Sequence, residues 1–352
     1  MKAIRLHNPL DVRYEMVDKP TEPGPGEVRV RVAFAGICGS DIHNFKTGQW
    51  ISRRPSVVGH EFSGWVDAVG SNVAGLEIGN KVIADSRYYC QTCNNCRLDQ
   101  AHLCNNLGFV GEVIDGGFAE FAVLPANLLL KCSEDTQLDI AALAEPLAVA
   151  LHALKRLQIP DTEPLLIIGC GPIGALSAVA SRYHSKRPLV VSDVNKQREC
   201  LINKLTGAMR TDLNGFNQFD NPAGKPVRFI LDTTGNVGVI SKLVAEMVGC
   251  TIGLVGIGTG DFAVDPVHLV ERELSIIGCH AFSDELPVAL DMIEKAPEKF
   301  AELIGSKISL EDTPDAYQAL SDGKSAGIKT MIVVHDDNDI VSDGMKPSGA
   351  AR

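Results

Sequence analysis

The stretch Leu165-Leu166-Ile167-Ile168-Gly169-Cys170-Gly171-Pro172-Ile173-Gly174 decides the fold of the second half of the chain. Its apolar start predicts a buried strand, and its remainder fits the pattern G-x-G-x-x-G. That pattern is weak alone, but here it follows a strand and opens a helical run over 175–180. Glycines in this setting permit a tight turn and let a pyrophosphate approach the backbone at the helix N-terminus. The sequence therefore predicts a dinucleotide site that includes Gly169, Gly171, Pro172, Ile173 and Gly174.

Strands and helices alternate beyond this stretch. The runs at 189–191, 227–231, 252–255 and 274–277 are almost entirely apolar, which a parallel sheet covered on both faces requires. Within this pattern, the segment between 208 and 227 looks short of a full crossover helix. The sequence thus predicts an α/β domain with a doubly wound parallel sheet.

Five further residues belong to the predicted dinucleotide site. Asp193 ends the strand after the glycine stretch, where its carboxylate would bind the ribose hydroxyls of NAD and repel the 2′-phosphate of NADP. The alternative for Asp193 is a helix N-cap before Asn195. Arg198 lies close by and would stack on adenine or attract a phosphate. Val255-Gly256-Ile257 ends a later strand at the carboxyl edge of the sheet, where such folds bind ligands.

The first 145 residues have a different pattern. Runs such as 28–32 alternate apolar and polar residues, and frequent Gly and Pro break them into short strands. Short strands separated in this way are typical of a compact barrel of antiparallel strands. At Glu145-Pro146 the pattern becomes helical, and Pro146 suits the first turn of a helix.

A third pattern begins after Gly278, with helices expected near 284–295 and 313–320 and a strand near 329–334. We expect residues 280–335 to complete the first domain, 1–145, and residues 146–279 to form the second. The polar stretch 336–352 is expected to be a disordered tail.

A candidate catalytic metal site is formed by Gly36-Ile37-Cys38-Gly39-Ser40-Asp41-Ile42-His43 together with Gly59-His60-Glu61. Cys38, His60 and Glu61 supply the sulfur, nitrogen and oxygen donors that Zn²⁺ accepts, and three protein ligands leave one position open. Ser40 and His43 follow the first ligand, where a proton relay would be needed. The alternative is a buried cysteine on a strand and a surface histidine on a loop.

A second metal motif, Cys90-x2-Cys93-x2-Cys96-x7-Cys104, predicts a structural zinc site. Four thiolates close the coordination shell of the metal, so such a site holds a loop together and does no chemistry. An iron–sulfur cluster is the alternative on spacing alone. His102 is expected to be a spectator within this loop.

Composition narrows the class of protein. The chain has 352 residues with 33 basic and 44 acidic side chains, giving a net charge of −11, and it contains no Lys/Arg run. We therefore expect no nucleic-acid partner. Because the sequence shows neither the apolar region of a signal peptide nor a membrane-spanning stretch, we expect no membrane partner and a cytoplasmic location. The 10 cysteines then indicate metal sites or core thiols before disulfides.

Together these motifs resemble the zinc-dependent medium-chain alcohol and polyol dehydrogenases, and most of all the branch with sorbitol and L-idonate dehydrogenases. The resemblance covers nearly the whole chain and also rests on Asp115-Gly116-Gly117-Phe118-Ala119-Glu120 and Glu145-Pro146-Leu147. It implies a GroES-like β-barrel catalytic domain into which a Rossmann domain is inserted. It further implies that Cys38, His60 and Glu61 bind the catalytic zinc, with Glu145 binding directly or through water. The alternative for Glu145 is an acid in the first turn of a helix, favoured by the helix dipole.

The resemblance also implies an activity. A secondary alcohol of the polyol, sugar or sugar-acid type would lose hydride to NAD, while Ser40 takes the hydroxyl proton and passes it through the nicotinamide ribose to His43. The chain would form a homodimer or homotetramer. Alternatives are an amino-alcohol dehydrogenase similar to L-threonine 3-dehydrogenase, and a non-catalytic nucleotide-binding relative.

Two departures from the polyol branch concern the substrate pocket. Asn44 stands where a tyrosine commonly follows the relay histidine, and 278–282 lacks the arginine and tyrosine found in many relatives. We therefore expect a rebuilt pocket wall, which puts sorbitol in doubt. Arg53 and Arg54 would favour an acidic substrate or would simply be solvated charges.

Overall fold

The computed structural model describes residues 1–324 and 327–335, which form two compact units. The first unit contains residues 1–145, 286–324 and 329–335, and the second contains 146–285 and 327–328. The prediction of a disordered tail over 336–352 lies outside the described residues.

The N-terminal part of the first unit consists mainly of strands. They are β1 (Lys2–Asn8), β2 (Asp11–Met16), β3 (Glu27–Gly36), β4 (Ser56–Val57), β5 (Glu61–Val69), β6 (Lys81–Ala84), β7 (Arg87–Tyr88), β8 (Gly108–Phe109), β9 (Phe121–Pro125) and β10 (Leu129–Lys131). Three helices accompany them: α1 (Gly39–Thr47), α2 (Asn94–Arg97) and α3 (Leu138–Ala141).

The second unit alternates strands with helices. Its helices are α4 (Ala144–Leu157), which starts just before the boundary, α5 (Pro172–His184), α6 (Lys196–Thr206), α7 (Val237–Glu246) and α8 (Pro266–Glu271). Its strands are β11 (Leu165–Ile168), β12 (Leu189–Ser192), β13 (Met209–Arg210), β14 (Phe229–Asp232), β15 (Thr251–Leu254) and β16 (Ser275–Gly278).

The chain then returns to the first unit through α9 (Leu286–Lys295), α10 (Pro297–Ala301), β17 (Ile304–Ser309), α11 (Thr313–Ser321) and β18 (Lys329–Val333). Strand β18 pairs antiparallel with β3, with Met331 opposite Gly36. The main sheet of this unit has the order β10-β6-β5-β3-β18-β17, and β9 also pairs with β3. Strand β3 is therefore the centre of the unit, and it leads directly into the Cys38 segment.

The sheet of the second unit has the order β13-β12-β11-β14-β15-β16, and every pairing in it is parallel. Chain order reverses between β11 and β14, which creates the switch point where doubly wound sheets bind their ligands. The glycine stretch Gly169–Gly174 leaves β11 at that point. The sheet thus places the predicted dinucleotide loop at the position that its topology favours.

The connection from β13 to β14 contains no helix, in agreement with the short segment noted in the sequence. Residues 211–228 form turns and irregular backbone. Phe216 is buried in the core of the second unit, and Leu213 and Ala223 pack against that core. These loop side chains cover the sheet where a crossover helix is usual.

The second boundary between the units lies after Glu285, six residues beyond the predicted boundary at 279. Residues of this segment bind helix α4. Glu285 Oε1 lies 3.1 Å from Nδ1 of the buried His152 and 3.2 Å from Nζ of Lys155, which also contacts Asp284 at 2.6 Å. Sequence patterns do not reveal such contacts between distant residues, so the boundary was placed too early.

We expect Glu285→Gln to lower the free energy of unfolding by about 2 kcal/mol at pH 7, measured by urea denaturation. Burial alone would raise the pKa of Glu285, but hydrogen bonds from His152 and the Ser283 amide lower it to about 2. The stabilisation is therefore present above the usual glutamate pKa and is lost as the pH falls towards 2. The gap between variant and wild type should narrow below about pH 4.5. Glu246→Gln, at an exposed pair with Lys242, is the control and should change little.

Candidate functional site

Cys38 lies at the junction between β3 and helix α1. It is the N-cap residue of that helix, and its backbone N–H donates to Asp41 Oδ2 at 2.8 Å. Asp41 is the third residue of the helix, and its carboxylate accepts a hydrogen bond from an amide that would otherwise be unpaired at the helix start. The local fold therefore fixes where the Cys38 thiol points.

The segment Gly59-His60-Glu61 is brought to Cys38 by strand pairing. Glu61 begins β5 and lies opposite Gly36, near the end of β3. Gly59 has φ +93°, and a Cβ there would lie 2.1 Å from the Phe118 ring. The segment 115–120 of the sequence motif thus packs against the glycine that precedes the two ligands.

One donor atom from each of Cys38, His60 and Glu61 lies within 4.8 Å of the others, which is close enough to hold one metal ion. His60 and Glu61 are buried, and Cys38 is half-buried. The Asp41 carboxylate lies 3.7 Å from Nδ1 of His60, and Ser40 Oγ lies 3.3 Å from Nε2. A carboxylate behind a ligating imidazole orients its ring, so Nε2 is the nitrogen left for a metal. The structure therefore brings together the predicted trio and places Ser40 beside it.

Lys329 is a member of this cluster that the sequence reasoning missed. Its ammonium group forms an ion pair with Glu61 Oε2, and both side chains are 1% exposed. Burial alone would lower the pKa of Lys329, but attraction from Glu61 and Cys38 outweighs it and raises the pKa. The signal for this residue was a lone lysine in a short strand whose other residues, apart from Thr330, are apolar, because a buried ammonium needs a counter-charge.

Glu145 lies outside the group of donors within 4.8 Å of one another. Its Oε1 accepts a hydrogen bond from Ser86 Oγ at 2.5 Å, and its side chain is buried. Burial is the main cause that raises the pKa of Glu145 to about 7, and the charge of Glu61 adds to it while His60 opposes it. The two glutamates are thus near enough to interact, while Ser86 holds Glu145 in place.

The charge balance of this cluster favours a cation. Burial, followed by the negative charge of Glu61, raises the pKa of the Cys38 thiol. Burial likewise raises the pKa of Asp41. Several buried acidic groups thus share Lys329 and His60 as their positive partners, and a divalent ion among them would favour their charged forms. The residues fit a zinc ion with three protein ligands.

The four-cysteine loop has the geometry of a closed metal site. Sγ–Sγ distances are 3.5 Å for Cys90–Cys104 and Cys93–Cys96, 3.9 Å for Cys93–Cys104 and 4.0 Å for Cys90–Cys96. A tetrahedron with Zn–S bonds of about 2.3 Å has edges of about 3.8 Å. Hydrogen bonds from Thr92 lower the pKa of Cys90 to about 5, which favours its thiolate form. These four residues also fit zinc.

The predicted relay histidine, His43, is the fifth residue of α1 and is half-buried. Its Nε2 lies 2.8 Å from Gln49 Oε1. Its ring stacks on Trp50 with centroids 4.3 Å apart and an interplanar angle of 25°. Gln49 and Trp50 are two further contacts of this site that the sequence reasoning did not identify.

The glycine loop of the second unit is shaped for close backbone approach. Gly169 has φ +96°, and a Cβ on Gly174 would lie 1.9 Å from Gly169 O. Gly171 is the N-cap of α5, a Cβ there would meet nothing within 4 Å, and Pro172 and Ile173 open the helix. Open space at a helix N-terminus suits a pyrophosphate, so the loop fits a dinucleotide.

Asp193 turns its carboxylate toward this loop. It accepts hydrogen bonds from the backbone N–H of Cys170 and, at 2.6 Å, from that of Asn195. The alternative reading of Asp193 as the N-cap of α6 is wrong, because Asn195 is the N-cap and accepts from Gln197 and Arg198 amides. Arg198 Nε donates to Gly327 O at 3.0 Å.

Val255-Gly256-Ile257 follows β15 at the carboxyl edge of the same sheet. The Val255 amide donates to Asp232 O at 3.0 Å. A Cβ on Gly256 would lie 2.1 Å from the Gly235 amide nitrogen, so only glycine fits there. Ile257 is 53% exposed, which leaves an apolar side chain available to a ligand at this edge.

Comparisons with known proteins match both the fold and the motifs. Residues 24–134 match the family model described as the alcohol dehydrogenase GroES-like domain. A sorbitol dehydrogenase from Arabidopsis thaliana is 31% identical over 88% of this chain and 88% of its own. An L-threonine 3-dehydrogenase from Deinococcus radiodurans is 32% identical over 80% of this chain and 83% of its own. No helix in the described part of the chain is long and apolar enough to span a membrane.

Two solved structures illustrate the likeness in three dimensions. A structure described as a short chain alcohol dehydrogenase from E. coli CFT073, with the cofactor NADH, has a TM-score of 0.84, 28% identity and coverage of 95% of this chain and 99% of its own. A protein from Sinorhizobium meliloti 1021 bound to NADP has a TM-score of 0.85, 26% identity and the same coverage. The predicted fold class, a GroES-like domain with a Rossmann domain, is confirmed.

Proposed function

Because this chain belongs to the zinc-dependent medium-chain alcohol and polyol dehydrogenase family, we propose that it oxidises a secondary alcohol of the polyol, sugar or sugar-acid type with NAD. Its membership establishes an oxidoreductase, and the clustering of Cys38, His60 and Glu61 within 4.8 Å carries the proposal that it is an active zinc enzyme. A relative that had lost catalysis would have no physical need to bury these donors together beside Ser40.

Several residues of the first unit would each have a separate role in the proposed oxidation. Bound zinc would supply a Lewis acid that lowers the pKa of the substrate hydroxyl. Ser40 lies 3.3 Å from Nε2 of His60 and accepts the hydroxyl proton. His43, nearer the surface on the same helix, transfers that proton to solvent. Glu145, held by Ser86, supports the metal directly or through a water molecule.

In the second unit, Gly169–Gly174 would bind the pyrophosphate of NAD, and the carboxyl edge at Val255-Gly256-Ile257 would line the same site. We propose NAD rather than NADP because the negative charge of Asp193 lies at the end of β12, where it repels a 2′-phosphate. Arg198, tied to Gly327 O, is placed beside it on α6.

We expect Asp193→Asn to reduce the preference for NAD over NADP about tenfold, measured as the ratio of kcat/KM values. The Cys170 amide donates to Oδ2 of Asp193 and the Asn195 amide to Oδ1, so asparagine removes the charge but keeps an acceptor for one of these two amides. Asp193→Ala removes the charge and both hydrogen bonds, and it should also raise KM for either coenzyme. An unchanged preference in both variants would contradict the ribose role.

A second candidate function is oxidation of an amino alcohol, which the similarity to L-threonine 3-dehydrogenase favours. An NADH-absorbance screen over hexitols, pentitols, aldonates and amino alcohols, including L-threonine, decides between these classes. Turnover of a polyol or aldonate supports the proposal, and turnover of L-threonine alone supports the second candidate. Metal analysis tests the non-catalytic alternative: two zinc ions per chain fit the enzyme, and one or none fits a binding protein.

We also propose that the chain forms a homodimer or homotetramer. Its other partners would be small alcohol substrates, and we propose that it binds neither nucleic acid nor a membrane. Strand β16 is the edge of the parallel sheet, and Val267 and Val270 on the neighbouring helix α8 are 60% and 77% exposed. An uncovered sheet edge beside apolar side chains suits pairing with a second copy. A cytoplasmic location is proposed because a reducing compartment keeps clustered thiols available for metal.

A further inference from the structure

The loop 48–52 encloses the relay imidazole of His43 on two sides. Gln49 Oε1 lies 2.8 Å from Nε2, and the indole of Trp50 lies parallel to the ring at 4.3 Å. A histidine near the surface would otherwise rotate freely between solvent-exposed orientations. Here Gln49 contacts one edge of the ring, and Trp50 covers one of its faces.

The loop itself is anchored from inside the domain. Asn44 Oδ1 accepts a hydrogen bond from the Trp50 amide at 3.1 Å. Glu112 O accepts from the Ser52 amide at 3.1 Å, and Arg54 donates to Gly48 O at 2.8 Å. The loop is therefore fastened at its start, its middle and its end.

Two of these anchors form a buried polar pair. Asn44 Nδ2 donates to Glu112 Oε1 at 2.8 Å, and the two residues are 3% and 7% exposed. A carboxylate and an amide are costly to bury unless they are satisfied, and a satisfied pair makes the surrounding structure rigid. The charge of Glu112 also acts on His60, but the hydrogen bonds that join Asn44 and Glu112 to each other and to Trp50 and Ser52 place both residues in support of the loop.

We propose that loop 48–52 is a clamp that fixes the ring plane and tautomer of His43, and that Asn44 and Glu112 are positioning residues for this clamp. An amide oxygen only accepts hydrogen bonds, so Gln49 requires a hydrogen on Nε2. In the neutral ring the lone pair is then on Nδ1. Nδ1 takes up the proton and later releases it to water, while Nε2 keeps its hydrogen throughout.

The tautomer is tested on the full-length protein labelled with ¹⁵N-histidine, by long-range ¹H–¹⁵N NMR, without added alcohol or coenzyme. We assign the signal of His43 by its loss in His43→Ala. The expected result is the Nε2–H tautomer in wild type and a mixture of tautomers in Gln49→Leu. Because Gln49 is exposed, this variant should fold. A wild-type ring in the Nδ1–H form, or no change in Gln49→Leu, overturns the clamp.

The effect on turnover rests on the proposed dehydrogenase function. Gln49→Leu and Glu112→Ala should each lower kcat about fivefold with KM for the alcohol unchanged, the size of one net hydrogen bond. Glu112→Gln keeps an acceptor for Asn44 and should restore most of the loss. In the His43→Ala background, Gln49→Leu should cause no further loss, because both act through one ring. Arg13→Ala, at an exposed pair with Asp11, is the control and should keep kcat.

The outcomes separate the two proposals. If wild type oxidises no alcohol in the screen, the proposed function fails, and the NMR tautomer still decides whether the clamp exists. If wild type is active but Gln49→Leu and Glu112→Ala both keep full kcat, the clamp is wrong and the dehydrogenase proposal stands. If Glu112→Ala does not fold, Trp50→Leu replaces it in the test, because Trp50 is only half-buried. The expected decrease in kcat is the same, about fivefold.

Discussion

Cys38→Ala is expected to lower kcat/KM for alcohol oxidation by about a thousandfold or more, because a Lewis acid contributes several kcal/mol to such a barrier. Cys38 is held at the N-cap of α1, and its loss leaves two protein donors, His60 and Glu61, for the ion. Metal analysis should find a decrease of one zinc per chain, since the four-cysteine site, over 90–104, is a separate cluster. His60→Ala should behave in the same way.

The matched control is Cys132→Ala, which also removes a buried thiol from the first unit but lies in no metal-donor group of the described residues. It should keep its activity and both zinc ions. Full turnover in Cys38→Ala, or loss of both metals from it, would contradict the assignment of this residue to an independent catalytic site.

Lys329→Met is expected to lower the free energy of unfolding of the metal-free protein by about 3–5 kcal/mol, because it leaves Glu61 buried without its counter-charge. Methionine approximates the shape of the lysine stem, so the loss reports charge rather than packing. Added zinc should reduce this deficit, since a cation at Cys38, His60 and Glu61 supplies positive charge in place of the ammonium. Chemical denaturation with and without a chelator measures both quantities.

Lys307→Met provides the comparison on the neighbouring strand β17. Lys307 pairs with Asp139 at 2.7 Å, but its side chain is 47% exposed, so the change should be about 1 kcal/mol or less and independent of metal. Equal effects of the two substitutions would show that Glu61 does not depend on Lys329.

The central strands of the parallel sheet and both metal motifs were predictable from local patterns. Continuous apolar runs predicted β11, β12, β14, β15 and β16, because a strand covered on both faces has little choice of composition. Likewise, the spacing of Cys90, Cys93, Cys96 and Cys104 alone predicted a compact cluster, since short loops cannot separate their thiols far.

Contacts between distant segments were not predictable. The role of Lys329 was missed, because its partner depends on the pairing of β18 with β3, which no local pattern encodes. Asn44 was interpreted as part of a changed pocket wall, whereas its amide is buried against Glu112 and supports loop 48–52. A short polar side chain gives no signal that distinguishes an inward from an outward orientation.

The pairing of β18 with β3 also sets the order in which the two units can complete their folding during synthesis. Met331 lies opposite Gly36, a separation of 295 residues, whereas 146–285 is one continuous segment. The segment 146–285 has its own core and emerges whole from the ribosome before β18 does. The first unit must wait for the last strand to supply Lys329 beside Glu61. Until residue 329 has been made, the buried Glu61 has no ammonium partner within the chain, so we expect the first unit to become stable only after the second.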